Sequence, residues 1–225
     1  MSSSIEFRLR EELAGIARRA YERHLTSATD GNASARLPDG SILVTPSGSC
    51  LGDTKPEDFV KVDEDGRVLA GEGRPTSELA LHAAVYRARP DVRAVLHAHP
   101  TAVLSLNLAG VGLDACLLPE LVLDLGSIPT APYAAPASPE GPIAIAELIL
   151  RADALILDRH GSLTVGSSPA KALHRLERME HAAQVILDAL SSGRGLRALD
   201  LDQVARLQQL RYDLGLTGFA PECGR

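Results

Sequence analysis

Residues 93–99, RAVLHAH, are the segment that most constrains the fold. The apolar run Ala94, Val95, Leu96 and Ala98 predicts a buried strand, which needs neighbouring strands and a covering layer. Side chains alternate along a strand, so His97 and His99 project to one face while Leu96 and Ala98 point to the other. Two imidazoles placed this way can reach one cation at ~2.1 Å each, or simply share a face.

Two more residues extend the set. Asp158-Arg159-His160-Gly161 places a third histidine directly after the apolar run 154–158 (ALILD), where a strand end borders a cleft. Pro75-Thr76-Ser77-Glu78 predicts a helix start with a hydroxyl cap and Glu78 in the first turn, where the helix dipole favours a carboxylate. Glu78 alone reads as a helix-terminal charge. Glu78, His97, His99 and His160 together make the ligand set of a three-histidine zinc site plus a carboxylate, and three protein ligands with an open position is the catalytic arrangement. Manganese or cobalt are alternatives to zinc. Competing metal folds fail on spacing: no Glu occurs between 100 and 119, as a cupin would need. The chain is shorter than an amidohydrolase barrel, and HExxH is absent.

Small polar positions form a second constellation: Gly31-Asn32-Ala33-Ser34, Thr45-Pro46-Ser47-Gly48 and Thr76-Ser77. Each alone is an ordinary turn or cap. Together, hydroxyls, backbone N–H groups and a helix start can bind phosphate without a basic patch.

Around these motifs the chain reads as one α/β domain over 1–225, with a core at about 10–190 and a C-terminal helix and tail at 195–225. Amphipathic helices are expected at 5–25, from the 75–78 start to about Arg89, at 169–190 and at 200–214. Strands are expected at 41–46, 93–99, 154–158 and 162–166, the last pair separated by a turn at Gly161. Residues 126–142 contain five prolines and predict a rigid irregular loop.

Composition excludes several classes. A net charge of −6, three phenylalanines, four tyrosines and no tryptophan argue against a nucleic-acid partner. No apolar run approaches the ~18 residues of a membrane span, and the polar N-terminus lacks a secretion signal. Cys50, Cys116 and Cys223 are odd in number and widely spaced, so three unpaired thiols in a reducing, cytoplasmic setting are expected.

GNASAR at 31–36, ILVTPSG at 42–48, the run 76–100, APY at 131–133, HGSLTVG at 160–166 and the helix 170–186 resemble, in order, the class II aldolase/adducin family, nearest to its fuculose-1-phosphate aldolases. The resemblance implies a three-layer fold, a mostly antiparallel central sheet with helices on both faces. It implies zinc held by His97, His99 and His160, with Glu78 as both a zinc ligand and the acid/base. Gly31, Asn32, Ser47, Gly48, Thr76 and Ser77 match the phosphate pocket. Tyr133 matches a tyrosine that reaches the neighbouring subunit's active site in a C4 homotetramer. The implied reaction cleaves a ketose 1-phosphate to dihydroxyacetone phosphate and a short aldehyde through a metal-stabilised enediolate. Epimerisation, dehydration and decarboxylation are alternatives on the same site, and a non-catalytic adducin-like scaffold is another. After APY the sequence AAPASPEGP departs from the Gly-Thr turn of those aldolases, at the aldehyde end of the substrate. His82, one turn after Glu78, is open to two readings, support for the site or a packed helix residue. His174 and His181 read as a solvated helix face.

Overall fold

Strand alternation sets the architecture. The computed structural model describes residues 2–113 and 116–216. Its strands are β1 (Asn32–Arg36), β2 (Ile42–Val44), β3 (Val60–Val62), β4 (Val68–Ala70), β5 (Ala94–Ala98), β6 (Thr130–Ala131), β7 (Ala154–Leu157) and β8 (Gly161–Gly166). They form one sheet in the order β4-β3-β2-β1-β5-β8-β7-β6. Every pairing is antiparallel except β6 with β7.

The helices are α1 (Ser2–Glu22), α2 (Leu79–Ala88), α3 (Thr101–Leu108), α4 (Glu140–Ile145), α5 (Pro169–Ser191) and α6 (Leu201–Asp213). They cover both faces of the sheet. Val44, Val60, Val95 and Leu163 pack with Leu81 and Val85 of α2 and Ile145 of α4. Ala33, Leu43, Leu96 and Ala98 on the opposite face pack with Leu13 and Ile16 of α1 and Leu173 and Leu176 of α5. A third cluster joins Val103 and Leu106 of α3 to Met179 and Ile186 of α5. Helix α5 starts as its sequence dictates, with Ser168 accepting from the Lys171 N–H and Pro169 at the first position. Among the described residues no helix is long and apolar enough to cross a membrane.

Four expectations need correction. Residues 31–34 are not a turn: Asn32 begins β1, because burial between β2 and β5 overrides the turn preference of Asn and Ser. Gly161 is the first residue of β8, and the turn lies at 158–160, where Arg159 takes a left-handed φ of 56°. The 126–142 loop contains β6 and the start of α4. Cys50 is a free thiol, but Cys116 is disulfide-bonded. The thiol count therefore does not define a reducing compartment. Cys223 lies outside the described residues.

Candidate metal centre and phosphate cleft

β5 lies at the middle of the sheet, paired with β1 on one side and β8 on the other. Its odd positions face α2, so His97 emerges beside the N-terminus of that helix. Asn32 sits opposite His97 on β1, and Ser162 opposite Ala98 on β8. His99 follows the strand end and is tied back by its N–H to the Leu25 carbonyl at 3.0 Å. The turn at 158–160 aims His160 at the same point; Arg159 N–H donates to Asn107 Oδ1 at 2.8 Å.

The three imidazoles therefore converge. Their ligand atoms lie within 4.8 Å of one another, and Nε2 of His97 and His99 are 3.0 Å apart. Glu78 completes the cluster, with Oε2 3.1 Å from His97 Nε2 and Oε1 3.6 Å from His160 Nε2. Glu78 caps α2 rather than sitting in its first turn, and no side-chain hydroxyl caps the helix. With φ −98° and ψ 15° it leaves the helical path, which turns its carboxylate toward the histidines.

The donor set fits a divalent cation. His97 Nδ1 donates to the Ser162 carbonyl at 2.9 Å, so in the neutral ring Nε2 is bare. A bare nitrogen and a carboxylate oxygen at 3.1 Å repel unless a positive charge lies between them. Gly161 lets the strands close on this point: a Cβ there would lie 2.8 Å from His99 Cδ2 and 3.2 Å from His97 Cε1.

Burial raises the Glu78 carboxyl, but His97, the Asn32 amide and His160 outweigh it and hold it below the usual carboxylate range. Burial, then His97 and His160, push His99 down to about 4. Burial, then His97, push His82 down to about 3 against the pull of Glu78. In the unfolded chain these imidazoles titrate near 6.5. Between pH 6.5 and 4 the unfolded chain thus binds protons that the metal-free folded chain refuses, so stability falls as pH falls. The melting temperature of chelator-treated protein is expected to drop steadily from pH 7 to pH 5. A flat or rising melting temperature over that range would contradict these neutral, buried rings.

The phosphate constellation lines one open cleft of about 680 Å³ with the metal cluster. Gly31, Asn32, Ser47, Gly48, Thr76 and Ser77 all border it, with Glu78, His99 and His160. Thr29, Asp30 and Ser49 also line it; sequence reasoning missed them because they flank the motifs without belonging to one. The loops are tied together by Ser47 N–H to Arg74 O at 2.8 Å and Thr76 N–H to Thr45 O at 3.0 Å. Those two N–H groups are spent, and Ser47, Thr76 and Ser77 contribute three hydroxyl side chains to the residues that border the cleft. Gly31 holds φ +79°, and a Cβ there would meet Thr26 Cγ2 at 2.8 Å and the His97 carbonyl at 2.9 Å. Asn32 plays a second part: its Nδ2 donates to Glu78 at 2.8 Å, and its Oδ1 accepts from His82.

A second pocket, of about 450 Å³, opens on the far side of Glu78 and His160. Leu81, Ala134, Pro136, Ala137, Gly141 and Pro142 line it with Ser77 and Asp158, and among the described residues no lysine or arginine does. Tyr133 is not brought into either cavity; the residue is 61% exposed. His174 and His181 lie together on α5, away from the metal cluster, along a groove with Glu177 and Arg178.

A three-histidine, one-carboxylate cluster beside a hydroxyl-bearing cleft, at the centre of a mostly antiparallel sheet, is a candidate metal site with room for a small ligand. The family model described as "Class II Aldolase and Adducin N-terminal domain" matches residues 11–187, and the chain belongs to that family. It is 34% identical over 211 residues to the 3-oxo-tetronate 4-phosphate decarboxylase of Escherichia coli K12, covering 92% of this chain and 98% of the relative. It is 32% identical to the L-fuculose phosphate aldolase of Methanococcus vannielii, covering 78% and 93%. The crystal structure of YgbL from Klebsiella pneumoniae superposes with a TM-score of 0.83 at 32% identity, covering 90% of this chain and 98% of that one.

Proposed function

We propose that the protein decarboxylates a 3-oxo sugar-acid phosphate of the 3-oxo-tetronate 4-phosphate type. The observation that carries this reading is the apolar pocket beside Glu78 and His160, which offers no cationic side chain. A substrate phosphate in the hydroxyl-lined cleft places the opposite end of a four-carbon chain toward that pocket. A carboxylate there has no lysine or arginine beside it and lies near Glu78 and Asp158, so its conversion to neutral CO2 relieves an unfavourable charge. The decarboxylase relative supports the assignment over nearly its whole length. The departure from the aldolase pattern at 134–142 falls in the same pocket wall.

The chemistry balances. The C1–C2 bond breaks, C1 leaves as CO2, and the electron pair passes from C2 onto the C3 carbonyl oxygen. Protonation at C2 then gives dihydroxyacetone phosphate. A divalent cation held by His97, His99 and His160 supplies Lewis-acid polarisation of that carbonyl. Ser47, Thr76 and Ser77 hold the phosphate. The Glu78 carboxylate, ionised at rest, takes a proton from water in the open cleft and passes it from Oε1 to C2.

Assay of the cation-loaded protein with 3-oxo-tetronate 4-phosphate and with ketose 1-phosphates tests the reading. Equimolar CO2 and dihydroxyacetone phosphate are expected from the first. A higher kcat/KM for aldehyde release from a ketose 1-phosphate would replace it with aldol cleavage, which ends in the same three-carbon phosphate.

A further inference from the structure

Glu78 terminates a buried chain of hydrogen bonds whose polarity is fixed at every link. Asn32 Nδ2 donates to Glu78 Oε2 at 2.8 Å, so Asn32 Oδ1 faces His82, 2.5 Å from Nε2. An amide oxygen only accepts, and Nε2 must carry the ring's proton. The bare Nδ1 then accepts from the Ser34 hydroxyl at 2.6 Å. Ser34 has spent its one hydrogen, so its oxygen accepts from the Tyr86 phenol at 2.8 Å. The reverse polarity would set the Asn32 carbonyl against the carboxylate, acceptor against acceptor.

Asn32, Ser34, His82 and Tyr86 are all buried, between α2 and the faces of β1 and β5. Burying four polar side chains costs free energy unless each is bonded, and leucines would fill such an interface more simply. Aligned bonds polarise one another, and each link directs its positive end toward Glu78. The two carboxylate oxygens are left unequal. Oε2 is held by Asn32 and lies 3.1 Å from His97, while Oε1 has no bond to Asn32 and lies 3.6 Å from His160, a residue of the cleft wall.

We propose that His82 is a positioning residue: by holding the Asn32 amide in one orientation, it pins Glu78 Oε2 and leaves Oε1 as the atom presented to substrate. This rests on the reading of Glu78 as the proton-delivering group.

Two measurements test it. In protein labelled with 15N-histidine, His82 should appear as the Nε2–H tautomer with a slowly exchanging ring proton, and Asn32→Ala should abolish that protection. An Nδ1–H tautomer would overturn the chain's polarity whatever reaction is catalysed. In turnover of whichever substrate the unsubstituted protein accepts, His82→Phe should lower kcat by about 10–100-fold, as for residues behind metal ligands, with cation content unchanged and KM within about threefold. His82→Gln, whose amide N–H can reach Asn32 Oδ1, should restore most of the loss. In an Asn32→Ala background, His82→Phe should cost no more than about twofold further, because nothing remains for it to act through. Should His82→Phe not fold, Ser34→Ala removes the Nδ1 donor and should give the same loss in kcat alone. Fully additive losses, or equal losses in His82→Phe and His82→Gln, would assign His82 to packing and overturn the proposal. Failure of the decarboxylase reading shows instead as a different preferred substrate, with the tautomer unchanged.

Discussion

Glu78→Gln is expected to lower kcat by about 10²–10⁴-fold while the protein still takes up one divalent cation per chain. The loss corresponds to about 3–5 kcal/mol of transition-state stabilisation. Glutamine keeps the size of the side chain and can accept from Asn32 through its carbonyl oxygen, so the local packing survives. What it loses is the ability to carry a proton on the atom that faces the cleft. The three imidazoles converge without help from the carboxylate, since the Ser162 carbonyl orients His97 and the 158–160 turn orients His160. Cation content by elemental analysis and kcat measured on the same preparation separate the two roles. Near-normal turnover would reduce Glu78 to a ligand or a cap, and loss of the cation would make its carboxylate an obligatory ligand.

Gly161→Ala is expected to damage both the fold and the metal centre, although the change is one methyl group. The added Cβ would collide with the Ala98 carbonyl on the paired strand and lie 2.8 Å from His99 Cδ2. Neither neighbour is the free end of a flexible side chain. The carbonyl belongs to the β5–β8 ladder, and His99 is held by its backbone bond to Leu25. Overpacking of this kind costs about 1–3 kcal/mol. Misplacing a group at a reacting centre by about 1 Å can cost on the order of 10²-fold in rate. A lower melting temperature together with weaker cation binding is the expected pair of results. A variant with unchanged cation affinity would show that the strands can separate locally without moving His99.

Much of this was legible in residues 93–99. Alternation alone places His97 and His99 on one face, and the structure brings both to His160 and Glu78. The amphipathic helices at either end of the chain also lie where their periodicity puts them. What was illegible depends on contacts from distant residues. Gly31-Asn32-Ala33-Ser34 carries turn residues, yet neighbours on both sides make it a central strand. Residues 101–108 carry no amphipathic period because α3 is apolar nearly all round. His82 could be either packing or support in one dimension, since nothing local shows that Asn32, fifty positions earlier, lies against its ring.

The apolar pocket beside Glu78 and the histidine cluster are anchored differently, and this has an evolutionary consequence. His97, His99, His160 and Asn32 sit on or next to three adjacent central strands, β5, β8 and β1, where a substitution disturbs the sheet itself. The pocket wall from 134 to 142 is a proline-punctuated excursion at the sheet's margin, and it can be rewritten without altering a single central strand pairing. On the proposed reaction, a lineage built on this frame changes what leaves the substrate, aldehyde or carbon dioxide, by rewriting that wall while it keeps the histidine cluster and the neighbouring cleft.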